Sequence, residues 1–306
     1  MTTVPTSTMV RVPAGEFTMG SDSHYADEAP SHRRRVEAFL LDATPVTNRE
    51  FRRFVEQTGY VTDAERVPSP ADYPGVDPWR LVPGSAVFRR PLGEVDLAIP
   101  TWWEYVPGAC WHTLDGPGSA VEDRLQHPAV HVSLNDARAY ATWCGKRLPS
   151  EAEWECAARA GSEDWEFAWG SELRPGGRWM ANTWPGLFPE CAEAERRPGT
   201  TVVGSYPPNA WGLLDMIGNV WEWTTDPYEE GHRVPSACCA GTRTPVLDPL
   251  AVGPRLMVLK GGSFLCAQNY CRRYRPAARI PQAADSSSSN VGFRCAADLD
   301  SPENPS

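Results

Sequence analysis

Two cysteines five residues apart, Cys266 and Cys271, stand in the stretch of the chain best equipped for chemistry, Lys260-Gly-Gly-Ser-Phe-Leu-Cys-Ala-Gln-Asn-Tyr-Cys-Arg-Arg-Tyr-Arg-Pro-Ala-Ala-Arg279. A flexible Gly261-Gly262-Ser263 precedes the pair. Arg272, Arg273, Arg275 and Arg279 follow it, in a chain that is otherwise acidic. Nearby cationic charge stabilises thiolate, the form of cysteine that reacts and binds metal. Two thiolates without histidine suit a soft ion of low coordination number such as Cu(I), whereas zinc asks for four ligands. The same spacing also admits a local disulfide or two inert buried thiols.

Other candidate chemistry is sparser. His127-Pro-Ala-Val-His131 offers two imidazoles at i, i+4, but a metal pair on that spacing wants a helix and Pro128 opposes one. A strand entering the core, with His131 hydrogen-bonded, is the expectation. The HExxH, GxSxG and GxxxxGK[ST] patterns are absent, which removes the zincin, hydrolase-elbow and phosphate-loop readings. The total of nine cysteines is odd, and no CxxC occurs. Without a secretion signal these do not read as a disulfide framework, and most are expected to be small buried hydrophobes.

The elements that must position the thiols are few and short. With 25 Gly and 30 Pro among 306 residues, long helices cannot dominate, and 13 Trp supply core where regular structure does not. Strand material is expected on either side of Pro13-Ala14-Gly15. A capping box at Thr47 and Glu50 opens a helix that carries Phe51, Phe54 and Val55 and stops at Gly59. Val67 to Pro100 reads as loop. Ser133 begins a second helix with Ala137, Tyr140, Ala141 and Cys144 on one face, ending at Gly145. Ser150 and Glu153 cap a third, which Gly161 follows. Beyond it come short strand pieces and turns. The expected architecture is one α+β domain, residues 1–306, of low secondary-structure content, with 299–306 a flexible tail.

The formal charge of −10 argues against a nucleic-acid or anionic-membrane partner. No apolar stretch approaches the ~20 residues needed to span a bilayer. The first residues lack a basic segment followed by an apolar core, so a cytoplasmic protein is expected.

Taken with Ser287-Ser-Ser-Asn-Val-Gly-Phe-Arg-Cys295, the segment GGSFLC…YCRRYRPAAR resembles the formylglycine-generating enzyme (sulfatase-modifying factor) family. The likeness runs through Phe17-Thr-Met-Gly20, Pro45-Val-Thr-Asn48, Gly59-Tyr-Val-Thr-Asp63, Trp102-Trp103, Gly108-Ala-Cys-Trp111 and His127-Pro128. It continues in Gly145-Lys-Arg-Leu-Pro-Ser-Glu-Ala-Glu-Trp154, Ala181-Asn-Thr-Trp184 and Gly218-Asn-Val-Trp-Glu-Trp223. The stretches from Gly145 to Trp154 and from Gly218 to Trp223 mark a wider superfamily, whereas the paired cysteines mark the formylglycine formers.

The resemblance implies a C-type-lectin-like fold and a copper-dependent oxidase. Such an enzyme converts the Cys of a Cys-x-Pro-x-Arg motif in an unfolded sulfatase to Cα-formylglycine, using O2 and a thiol reductant. By the same likeness Cys266 and Cys271 hold Cu(I) linearly, the substrate thiolate joins them, and hydrogen is taken from the substrate Cβ to give a thioaldehyde that hydrolyses. Ser263 is the active-site serine, while Trp102, Ser85, Asn290 and Arg275 contact substrate. A structural Ca2+ is implied at Asp215, Glu222 and the carbonyls of Gly218 and Val220, where hard oxygen donors suit it. A second is implied at Asn182, the Thr183 carbonyl and Glu195. Two departures stand out. The family often has His after the first Cys, where this chain has Ala267, and Ala141 and Ala158 replace cysteines that form a disulfide in secreted members. Competing readings are an iron-dependent sulfoxide synthase, which would want an HxxxHxE motif, and a non-catalytic lectin-like binding module, which would not need both cysteines.

Overall fold

The computed structural model describes residues 8–91, 93, 95–190, 198–232 and 255–299. Its three α-helices are those the capping signals predict. Helix α1 spans Asn48–Thr58, opened by reciprocal bonds between Thr47 and Glu50 and closed by Gly59 in the left-handed conformation (φ 66°). Helix α2 spans Leu134–Trp143 with Ser133 and Asp136 as its capping box. Helix α3 spans Glu151–Arg159, capped by Ser150 and Glu153. It ends one residue before the expected glycine, because Ala160 takes the left-handed position (φ 47°) and Gly161 follows with φ 85°.

Eleven short strands are described: β1 (Met9–Val12), β2 (Gly15–Met19), β3 (His32–Val36), β4 (Phe39–Asp42), β5 (Gly84–Phe88), β6 (Trp103–Pro107), β7 (Trp221–Pro227), β8 (Leu256–Lys260), β9 (Arg279–Ala283), β10 (Val291–Gly292) and β11 (Ala296–Asp298). They form sheets in the orders β1-β4-β11 and β10-β7-β8-β9, plus the pairs β2-β3 and β5-β6. The turn at Pro13-Ala14 does separate two strands, yet they do not pair with each other: β1 pairs with β4, and β2 with β3. The stretch read as loop from Val67 to Pro100 contains β5, which pairs with β6 in a hairpin. Its alternation is only five residues long among prolines and glycines, too brief to signal a strand.

Aromatic packing replaces regular structure in the core, as the tryptophan count implies. Phe51, Tyr140 and Phe293 meet with ring centroids 5.3–6.3 Å apart, and Phe51 also meets Trp111 edge-on at 5.5 Å. A separate aromatic layer of Trp102, Trp184, Phe188 and Phe264 lies beneath the thiol segment. The four-stranded sheet delivers the site. Strand β8 ends at Lys260 and feeds Gly261-Gly262 directly into the cysteine loop, while β10 brings the Ser288–Val291 segment beside it.

Candidate active site

Gly261 and Gly262 turn the chain off β8 with φ 96° and 75°. A Cβ on Gly261 would lie 3.0 Å from the Trp154 ring, and one on Gly262 would lie 2.9 Å from the Arg273 carbonyl. Both a left-handed backbone and close approach are therefore demanded, which only glycine supplies cheaply. Two tight turns follow, with Cys266 N donating to the Ser263 carbonyl (2.9 Å) and Cys271 N to the Ala267 carbonyl (3.1 Å). They fold the five-residue interval back on itself, so the two sulfurs meet at 3.2 Å. A disulfide would require about 2.05 Å, so this is a reduced pair in hydrogen-bond contact.

The two thiols are unequal. Burial, then the hydrogen bond to Cys271, pushes the Cys266 thiol well up. Cys271 is held down first by the hydrogen bond from Cys266, with Arg273 and Arg275 adding to the effect. Of the two, Cys271 therefore gives up its proton more readily than Cys266.

Both sulfurs lie on a cavity of about 490 Å³, lined also by Ser263, Asn290, Trp103, Trp221 and Tyr270. Asn290 Nδ2 donates to Ser263 Oγ at 3.0 Å, and Ser288 Oγ donates to Asn290 Oδ1 at 2.8 Å, which fixes the amide's orientation. Ser263 Oγ also accepts from Leu265 N at 3.3 Å. Arg273 and Tyr25 form the cavity's polar rim, with the guanidinium 3.8 Å from the ring centroid.

The family model for the sulfatase-modifying factor enzyme 1-like domain matches residues 1–299. The chain belongs to this family. Over 296 residues it is 51% identical to the formylglycine-generating enzyme of Mycobacterium tuberculosis, covering 95% of this chain and 97% of that one. The formylglycine-generating enzyme of Thermomonospora curvata is 45% identical over 300 residues, 95% of this chain and 93% of its own. Among solved structures, PvdO from Pseudomonas aeruginosa is similar with a TM-score of 0.62 at 25% identity, covering 95% of this chain and 94% of that one.

Cys266, Cys271, Ser263 and Asn290 thus converge as the family likeness implies, but three other expected contacts do not reach the cavity wall. Trp102 is buried behind it, packed edge-on against Phe188 (4.8 Å) and Tyr270 (5.0 Å), and its neighbour Trp103 lines the cavity instead. Ser85 faces the other side of β5, where its Oγ contacts His131 Nδ1 (2.8 Å) and Ser287 Oγ (2.7 Å), while Ala86 lines the cavity. Adjacent strand residues point to opposite faces, which is why Ala86 and not Ser85 meets the cavity; Trp102 sits in the turn that precedes β6, whose first residue is Trp103. Arg275 is locked bidentate on Glu28 at 2.8 and 2.7 Å, and the cavity's cation is Arg273.

The arginine cluster as a whole is largely spent on folding. Arg272 pairs with Glu166 at 2.6 Å, Arg273 with Asp27 at 2.9 Å and Arg279 with Glu151 at 2.8 Å. These acids lie more than a hundred residues away in sequence, so no local pattern shows them. His131 is a hydrogen-bonded core residue as expected, although no strand forms over residues 127–131. His131 is fully buried and burial pushes it down to about 4, while His127 Nδ1 contacts Thr200 Oγ1 at 2.9 Å.

The expected calcium ligands fit in part. Asp215 Oδ1 is buried with no hydrogen-bond partner, and its other oxygen accepts from Gly204 N at 2.6 Å. Burial pushes this carboxyl up to about 6, and neighbouring Glu222 adds to the rise. An unpartnered buried carboxylate oxygen of this kind suits a hard cation. Glu222, however, is already neutralised by Arg294 at 2.7 and 2.8 Å and accepts from Trp154 Nε1 at 2.7 Å. At the second site Asn182 and Thr183 are buried, and Glu195 lies outside the described residues. Cys191, Cys238, Cys239 and most of the expected tail also lie outside them, and the six described cysteines are all free. No helix among the described residues is long and apolar enough to cross a membrane.

Proposed function

We propose that the protein oxidises the cysteine of a Cys-x-Pro-x-Arg segment in a sulfatase to Cα-formylglycine, with O2, a thiol reductant and Cu(I). The observation that carries this reading is the reduced pair Cys266–Cys271, with sulfurs 3.2 Å apart on the wall of a cavity that also presents Ser263 and Asn290. The donor set fits a soft monovalent ion, because two sulfurs converge with no hard ligand between them. Cys266 and Cys271 are the residues that would hold such an ion, through their two sulfurs. When bound, Cu(I) supplies affinity for the substrate thiol and reactivity towards O2.

The protein's own groups supply the rest. Cys271 is the sulfur that deprotonates the more readily of the two, and both would hold the ion as thiolates. Ser263 Oγ, held by Asn290 Nδ2, presents a hydroxyl beside the sulfurs where a reacting oxygen can be hydrogen-bonded. Trp103, Trp221, Leu265 and Val291 exclude water from the reacting Cβ. A second cavity of about 800 Å³ shares Tyr25 and Arg273 with the first; Asp27 in its wall is already paired with Arg273, and Glu230 is the carboxylate left to meet the substrate arginine. Ca2+ at Asp215 is a structural ion in this reading. The free thiols among the described residues suit a reducing, cytoplasmic setting.

The test incubates the protein with a Cys-x-Pro-x-Arg peptide, Cu(I), O2 and thiol, and follows aldehyde formation by mass spectrometry. Turnover should need copper and stop with a strong Cu(I) chelator. Absence of aldehyde under all conditions defeats the activity, and full turnover in rigorously copper-free protein defeats the metal.

A further inference from the structure

Outside the thiol cavity, one group of three chemically different donors converges. One ligand atom each from Glu65, Cys110 and His112 lies within 4.8 Å of the others, the single such cluster of His, Cys, Asp and Glu side chains among the described residues. We propose that these residues form a second metal site that binds one Zn2+ per chain, independently of the reaction proposed above.

Each donor is placed by its own local structure. Glu65 closes a single 3-10 turn, Asp63–Glu65, whose cap Thr62 donates to Glu65 Oε2 from its backbone (3.0 Å) and its hydroxyl (2.6 Å). That leaves Oε1 directed at His112 Nε2, 3.3 Å away. Cys110 and Thr113 exchange backbone hydrogen bonds of 3.3 and 3.2 Å, a tight turn that carries Cys110 and His112 to the same side. Thr113 Oγ1, which donates to the Gly108 carbonyl at 2.7 Å, lies 3.0 Å from the Cys110 sulfur and accepts from its thiol, which fixes the direction of the side chain.

The donor types select the ion. One thiolate, one imidazole and one carboxylate make a borderline set that suits Zn2+, with water in the fourth tetrahedral position. Ca2+ and Mg2+ do not take sulfur, and Cu(I) has two thiolates at Cys266 and Cys271. For Zn–N and Zn–O bonds of ~2.1 Å, tetrahedral geometry puts the two donor atoms about 3.4 Å apart, against the 3.3 Å between Glu65 and His112. The sulfur is buried while His112 and Glu65 keep partly exposed side chains, at 45% and 26%, so the cup opens to solvent and an ion can enter.

The location gives the ion a structural task. Asp63 in the same turn accepts from Ser133 Oγ at 2.7 Å, which ties it to the start of α2. Cys110 follows β6, and the β5–β6 hairpin carries Ala86 and Trp103 of the thiol cavity. Zn2+ would clip that hairpin to the helical framework.

Titration with Co2+, read by absorption, tests the site in the full chain. Expected is one equivalent giving a sulfur-to-cobalt charge-transfer band and the intense visible bands of tetrahedral coordination, both displaced by Zn2+. Cys110→Ala should abolish the charge-transfer band. His112→Ala, at a partly exposed position that folding tolerates, should raise the Zn2+ dissociation constant at least tenfold. The bands should persist in Cys266→Ser/Cys271→Ser. No charge-transfer band in the wild-type chain, bands unchanged in both Cys110→Ala and His112→Ala, or bands lost only with Cys266 and Cys271 would overturn the assignment.

Discussion

Glu155→Gln removes one buried charge from α3 and should destabilise the protein by about 3 kcal/mol without touching the thiol cavity. Glu155 is fully buried, accepting from Lys260 Nζ at 2.9 Å, Arg159 Nη2 at 2.8 Å and Gly20 N at 2.9 Å. Burial alone would raise its carboxyl; Lys260 and Arg159 oppose this and hold it at about 2, against an ordinary 4.5. That gap of about 2.5 pH units, at 1.36 kcal/mol each, is about 3 kcal/mol. It agrees with the ~3–5 kcal/mol that breaking a buried pair costs when one partner is left unpaired. A depressed carboxyl contributes its full stability above the ordinary value and loses it only as pH falls towards 2. The deficit should therefore stay constant from about pH 5.5 to 8 in denaturant unfolding. With ~2.1 cal/mol/K of unfolding entropy per residue over 306 residues, the melting temperature should fall by about 5 °C. Glu155→Gln/Lys260→Met should recover part of the loss, since it also removes the buried ammonium that would otherwise keep only Glu151 at 3.7 Å and the Ala277 carbonyl at 3.3 Å. Because Lys260 is the last residue before the Gly-Gly turn, this network anchors the thiol loop at its root, yet kcat below the melting range should be unchanged. A deficit under 1 kcal/mol, or one that grows through pH 7, would refute this account of the pair.

Iodoacetamide should alkylate Cys271 before Cys266, because Cys271 is both thiolate-leaning and less buried; peptide mapping by mass spectrometry reads the order directly. Asn290→Ala removes the donor to Ser263 Oγ and should lower kcat roughly tenfold, about 1–2 kcal/mol, with little change in melting temperature. Trp102→Ala should cost ~3–5 kcal/mol of stability by opening a cavity behind Tyr270, whereas Trp103→Ala should chiefly raise KM for the peptide. EGTA should lower the melting temperature of the wild type but not of Asp215→Asn, if Ca2+ binds the unpartnered oxygen. Glu222→Gln should destabilise by about 3–5 kcal/mol with or without EGTA, since it strands Arg294, so Asp215→Asn is the cleaner probe of calcium.

What the sequence by itself determined is what physics settles over a few residues. Each helix begins with a Ser or Thr and an acid three residues later, because side chain and backbone there satisfy each other locally. Cys266 and Cys271 lie only five residues apart, and two tight turns within that interval bring their sulfurs together after Gly261 and Gly262 turn the chain. The family likeness was legible for the same reason, since its motifs are contiguous. Tertiary structure decided whatever depends on partners remote in sequence. Whether Arg275 faces substrate or Glu28 turns on a contact spanning 247 residues. Glu222 looks like a calcium ligand in its own segment and is a partner of Arg294, 72 residues on. Ser85 and Ala86 differ only in which face of a hairpin meets the cavity, which strand facing settles, while Trp102 falls in the turn before β6 and Trp103 on the strand itself. Glu65, Cys110 and His112 form a cluster only because a turn after β6 packs against the turn that follows α1. Short-range hydrogen bonds are written in the chain; long-range charge pairing and strand facing exist only once the fold closes.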